Sequence, residues 1–157
     1  MWSPLHVGSS KTASQGVFAL GQTEVPGNPK FYLRHVVTSS SGSGNYVFAY
    51  QSIEDVRTLS GKDATLSFWA RTTGSNKNIA TEFTQWFGTG GSPSSLNSGI
   101  GVTTHTLTSS WQKFTVTTSI PSISGKTIGT DNKDYLGLYF WFDAGSNYNA
   151  RTNSLGQ

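Results

Sequence analysis

The groups able to do chemistry are few. The chain carries eight Asp and Glu, three His and no Cys. Without Cys there are no disulfides, thiolate metal sites or thiol nucleophiles. His6, His35 and His105 lie far apart in sequence, and none has zinc-type spacing. Serines are plentiful, but no Gly-x-Ser-x-Gly elbow occurs, and Ser98-Gly99-Ile100-Gly101 lacks that pattern. The acids are Glu24, Glu54, Asp55, Asp63, Glu82, Asp131, Asp134 and Asp143. Paired carboxylates would suit a glycosidase. Only Glu54 and Asp55 adjoin, however, and neighbours on a strand point to opposite faces. Asp131-Asn132-Lys133-Asp134 begins like a calcium loop but lacks its Gly and closing Glu, so a turn is expected there. Gly88-Thr89-Gly90-Gly91-Ser92-Pro93 has neither the Lys-Ser/Thr nor the helix of a phosphate cradle. It reads as a flexible loop near one end of the fold, where loops often touch ligands. These residues call for no cofactor and no metal.

The aromatics are a stronger signal. They make up 13% of 157 residues, while charged residues make up only 12%, about half the usual share. Abundant Gly, Ser and Thr exclude a helical bundle, and so many rings exclude a disordered tail. Thr, Val and aromatics suit a pleated surface, which points to an all-β chain forming one domain over residues 1–157. Six runs read as strands: Lys30–Thr38, Tyr46–Ile53, Ala64–Arg71, Ile79–Phe87, Trp111–Thr118 and Tyr135–Asp143, with weaker runs at 16–21 and 102–107. Short strands separated by Ser/Gly clusters at 39–44, 88–99 and 145–147 point to an antiparallel β-sandwich.

Period-2 alternation gives each strand a core face and a second face. Ala64, Leu66, Phe68 and Ala70 form one core row, and Leu136, Leu138, Phe140 and Phe142 another. Opposite them stand Trp69 and Arg71, Glu82 and Trp86, and Tyr139, Trp141 and Asp143. If these strands are sheet neighbours, the rings form an aromatic wall rimmed by one cation and two carboxylates. Such a wall suits a sugar, whose C–H face stacks on rings while polar groups take its hydroxyls. Trp69, Trp86, Tyr139 and Trp141 would stack, and Arg71, Glu82, Gln85 and Asp143 would hydrogen-bond. The competing expectation is that loops or another subunit cover the same rings.

Net charge is only +3 and the basic residues are scattered, so no nucleic-acid footprint is expected. No apolar run approaches a membrane span, and the start lacks a signal peptide, so no membrane insertion is expected. Trp2 directly after Met1 reads as a cut into a longer chain.

The segment Ile53-Glu54-Asp55-Val56-Arg57-Thr58-Leu59-Ser60-Gly61-Lys62, running into Ala64-Thr65-Leu66-Ser67-Phe68-Trp69-Ala70-Arg71, resembles jelly-roll domains related to carbohydrate-binding modules. Trp111-Gln112-Lys113-Phe114-Thr115-Val116 is similar to a following strand of those domains. Gly27-Asn28-Pro29, Phe87–Pro93 and Phe142-Asp143-Ala144-Gly145-Ser146-Asn147 resemble a domain of bacteriophage tail fibre and other virion structural proteins. The resemblance runs from about residue 16 to the end. It implies jelly-roll topology, a virion (phage tail or surface) and extracellular setting, and no enzyme activity. The implied partners are a glycan or cell-surface polysaccharide and other virion subunits, a homotrimer being one form. It carries no set of binding residues onto this chain. Such domains usually continue into a final strand past the equivalent of Gly156-Gln157, a strand that in related sugar-binding jelly rolls helps hold a structural calcium ion. Without that strand, the resemblance lends no support to calcium here, and it leaves a sheet edge open to another chain. The expected function is glycan binding for host attachment. Subunit packing through the aromatic face is the alternative, and a glycan-degrading enzyme comes third.

Overall fold

A computed structural model describes residues 2–157. These residues form nine strands: β1 (Ser3–Val7), β2 (Ser10–Val17), β3 (Phe31–Thr38), β4 (Tyr46–Ile53), β5 (Asp63–Ala70), β6 (Lys77–Trp86), β7 (Asn97–Leu107), β8 (Gln112–Ser119) and β9 (Tyr135–Ala144). A 3₁₀ turn over Ser146–Tyr148 and a single helical turn, α1 (Asn149–Thr152), follow. Five strands make the main sheet in the order β1-β4-β9-β6-β7. Two further ladders, β2-β3 and β5-β8, stand apart from it and from each other. Every pairing is antiparallel. The six expected runs are all strands, with ends shifted by no more than two residues.

One face of the main sheet carries Phe83, Ile100, Leu136 and Leu138, which pack with Ala64, Ile120, Leu66 and Phe140. Ala64 and Leu66 come from β5, so the β5-β8 ladder caps this face. Phe68 of β5 meets Phe140 edge-on at 4.9 Å and stacks on Phe114 of β8 at 5.3 Å. The β2-β3 ladder reaches the same face through His35, whose ring lies 4.6 Å from that of Phe142. Burial of these apolar rows is the main force joining the layers, at roughly 25 cal/mol per Å². The result is an all-β, sandwich-like arrangement whose second layer is split in two.

Four elements depart from expectation. The weak run at 16–21 is strand only over its first two residues, the end of β2, and β7 starts at Asn97, inside the expected loop at 88–99. β1, Ser-Pro-Leu-His-Val, has no alternating apolar pattern and contains Pro4. It is an edge strand pairing only with β4, a position where a missing N–H costs little. The C-terminal turns are too short to leave a helical period in the sequence.

Candidate functional site

The expected single wall does not form. β5 pairs only with β8, so Trp69 and Arg71 stand on the second layer, away from Glu82, Tyr139 and Trp141 on the main sheet. Alternation assigned each ring to the correct side of its own strand. Which strands share a sheet is a matter of topology, and alternation carries no information about it.

The main sheet's outer face holds a continuous aromatic array. Tyr50 of β4, Tyr139 of β9 and Glu82 of β6 are direct cross-strand neighbours in one row. Tyr50 lies parallel to Tyr139, with centroids 5.2 Å apart and planes at 17°. Tyr46 stacks on Phe48 at 4.9 Å, and Phe48 meets both Tyr139 and Trp141. Trp86 is Tyr135's cross-strand partner.

Over part of this face the chain's last turns fold down. Arg151 Nε donates to Glu82 Oε1 at 2.8 Å, the Trp141 indole donates to the same oxygen at 3.0 Å, and the Gly99 amide donates to Oε2 at 2.7 Å. The Arg151 guanidinium also lies 5.0 Å from the Trp141 ring centroid and 5.3 Å from that of Tyr139. Tyr148 completes the lid against Trp141 and Tyr46. Glu82 is 1% exposed and Trp141 0%. Their position on the outer face was expected, but their accessibility is overturned: a buried carboxylate must be paired, and Arg151 is its partner.

Gln85 and Asp143 are buried as well. Gln85 sits in the inner row between Leu136 and Asn97, donates to the Pro121 carbonyl at 2.8 Å and accepts from Asn97 at 3.0 Å. Its neighbour Trp86 points the other way, as adjacent strand residues must. Asp143 leaves Trp141's row because β9 bulges at Phe142, setting Asp143 opposite Val47. Its carboxylate accepts from the hydroxyls of Ser9 and Ser39.

The other half of the outer face stays open. Tyr50, Tyr135 and Trp86 are half-buried, Ser52 is exposed, and Tyr139 forms the floor. Gly137 lies between Tyr135 and Tyr139 in the same row. A Cβ there would fall 2.5 Å from Thr84 Oγ1 and 2.8 Å from the Tyr139 ring. Glycine therefore lets the two tyrosines lean together, bringing their hydroxyls to 3.4 Å. The Thr84 hydroxyl beneath has no hydrogen-bond partner. Burial and the contact with Tyr135 hold the Tyr139 phenol well above the ordinary tyrosine range, so it stays protonated. Sequence reasoning missed Tyr50 and Tyr135. Both stand in expected strands opposite the core row, and the signal was their alternation with Ala49, Gln51 and Leu136.

Among the described residues, no three His, Asp or Glu side chains group to share a cation. The site as built can stack flat ligands and exchange hydrogen bonds. No known protein family, curated protein or solved structure matches the chain.

Proposed function

We propose that this chain is a non-enzymatic glycan-binding module of jelly-roll topology, serving host attachment in a phage tail or other virion protein. One observation carries the reading: the half-buried rings of Tyr50, Tyr135 and Trp86 stand on the open part of the outer face around buried Tyr139, which was expected to stack and serves as their floor, with the hydroxyl of Ser52 at the edge. Rings with polar tips match the apolar faces and hydroxyl rims of sugars. The carboxylate beside the rings, Glu82, is fully engaged in internal hydrogen bonds, which favours binding over hydrolysis. The chain steps between layers six times, β1 to β2, β3 to β4, β4 to β5, β5 to β6, β7 to β8 and β8 to β9, and this supports the jelly-roll reading. A small platform gives weak affinity per site, so attachment relies on several copies.

The test is retention on an immobilised glycan selected from an array. Tyr50→Ala and Trp86→Ala should each lower retention about tenfold, on the order of 1.4 kcal/mol. Trp69→Ala, on the other layer, should leave it unchanged. Retention that follows Trp69 and not Tyr50 ends this reading.

A second reading, packing of this face against sister subunits, draws on Leu5 and Val7. They are 46% and 48% exposed on the edge strand that borders the platform. A stable trimer by light scattering, with Tyr50 protected in it, would favour assembly over sugar binding.

A further inference from the structure

The split second layer encloses a cleft of about 1100 Å³. Its banks are the unpaired edges of two strands. β3 pairs on one side only, with β2, and β5 on one side only, with β8. Phe31 through Val37 border the cleft without a gap, as do Phe68 through Thr73, of which Phe68, Trp69 and Ala70 belong to β5. Successive strand residues point to opposite faces, so an unbroken run along the cleft means that the strand edges themselves face it. Such an edge presents a row of free N–H and C=O groups. The floor is the main sheet, with Ala49, Ile79, Phe140 and Phe142. The volume exceeds the ~300–1,000 Å³ of ordinary small-molecule sites.

We propose that this cleft receives an extended strand donated by another protein chain, in which apolar residues alternate with acidic ones. Backbone groups on the two banks recognise backbone, so the occupant is a polypeptide in β conformation that joins β3 to β5. Apolar side chains on its inner face would meet the floor. On its outer face the banks supply cations, Arg34 on β3 and Arg71 just after β5, and Lys77 stands at the end of the floor where β6 begins; all three are exposed. Among the described residues none of the three has a carboxylate within salt-bridge distance. The one acid bordering the cleft, Asp143, is buried and held by Ser9 and Ser39. An inserted strand would also offer partners to the His35 ring nitrogens, which have none. Arg71, expected from sequence to hold sugar hydroxyls, here becomes a selector for carboxylates.

The test uses a capped ten-residue peptide of alternating Val and Glu, followed by residue-resolved amide hydrogen exchange. The expected result is at least tenfold slower exchange at edge amides of both β3 and β5. Replacing Glu by Lys in the peptide should abolish the effect, and the R34E/R71E double variant should reverse the preference. A second form tethers the Val/Glu segment after Gln157 through a Gly/Ser linker, raising its local concentration to the mM range. Protection of neither edge in both forms, or of one edge only, overturns the proposal. So does equal protection by an N-methylated peptide that cannot pair, or protection without peptide that grows with protein concentration, which would mean that a second copy fills the cleft. A glycan-binding defect is not read here, so this proposal can fail while the platform reading stands, and the reverse.

Discussion

Tyr50 and Glu82 flank Tyr139 in a single cross-strand row, one strand to either side, yet they live in different solvents. The Glu82 side chain is sealed under Arg151, with three kinds of donor converging on it. Tyr50 stacks on the same Tyr139 and keeps part of its ring in water. The sheet treats the two positions alike. The difference is made by the chain's last turns: α1 packs against β6, β7 and β9 and sets Arg151 on Glu82, while Tyr148 meets β4 at Tyr46, two rungs away from Tyr50 on alternate positions. Function can therefore sit on a face that is half core, and the boundary is drawn by a short covering segment rather than by the strands.

Removing the cover's charge should break the sealed half outright. Arg151→Ala leaves Glu82 buried with only the Trp141 and Gly99 donors, and breaking such a pair typically costs about 3–5 kcal/mol. The urea midpoint should drop accordingly. Adding Glu82→Gln should restore part of the loss, since a neutral amide needs no cation although its NH2 must face one of the two donors. A drop that Glu82→Gln does not relieve would place Arg151's role in packing alone.

A methyl at the border between the halves should have a smaller effect. Gly137→Ala gains ~0.5–1 kcal/mol of strand preference. It also forces a group into space held by Thr84 and Tyr139, an overpacking cost of ~1–3 kcal/mol. A net loss near 1 kcal/mol is expected, with a changed near-UV spectrum as Tyr135 and Tyr139 separate. An unchanged spectrum would show that the tyrosines do not depend on the glycine.

The smallest effect concerns the inner face, where a buried base has no counter-charge. His105 is hydrogen-bonded to Thr81 at 2.9 Å and flanked by Phe68 and Phe114. Burial lowers its pKa below the ordinary 6.5. The unfolded chain then takes up the proton first, so the contribution is full above pH 6.5, falls as pH drops below it, and levels off once the folded form also protonates. His35, lowered by its own burial and by Lys11, acts in the same direction. Thermal unfolding between pH 7.5 and 5 should show this slope, and His105→Gln should flatten part of it. An unaltered slope would assign it to other groups.

Strand positions and their inner rows were legible because period-2 alternation survives wherever one face is buried. Leu66 and Phe68, or Leu136 and Leu138, carry that information locally. The site was only half legible. Trp86 and Tyr139 were assigned to the face on which they stand, while Trp69 and Arg71 were assigned to the wrong sheet because strand order depends on long-range pairing. Glu82 and Trp141 were read as accessible because their cover, Arg151, lies outside any periodic element. Asp143 was misplaced by one bulged residue, which inverts every alternation argument beyond it.

The middle strand of the main sheet, β9, is synthesised after both of the strands that flank it, β4 and β6. Until Tyr135–Ala144 emerge, β4 and β6 each present a bare inner edge and an apolar flank to the cytosol. The sheet is thus closed like a zip from its centre, which makes the nascent molecule slow to mature and open to invasion by a sibling's β9 while it waits.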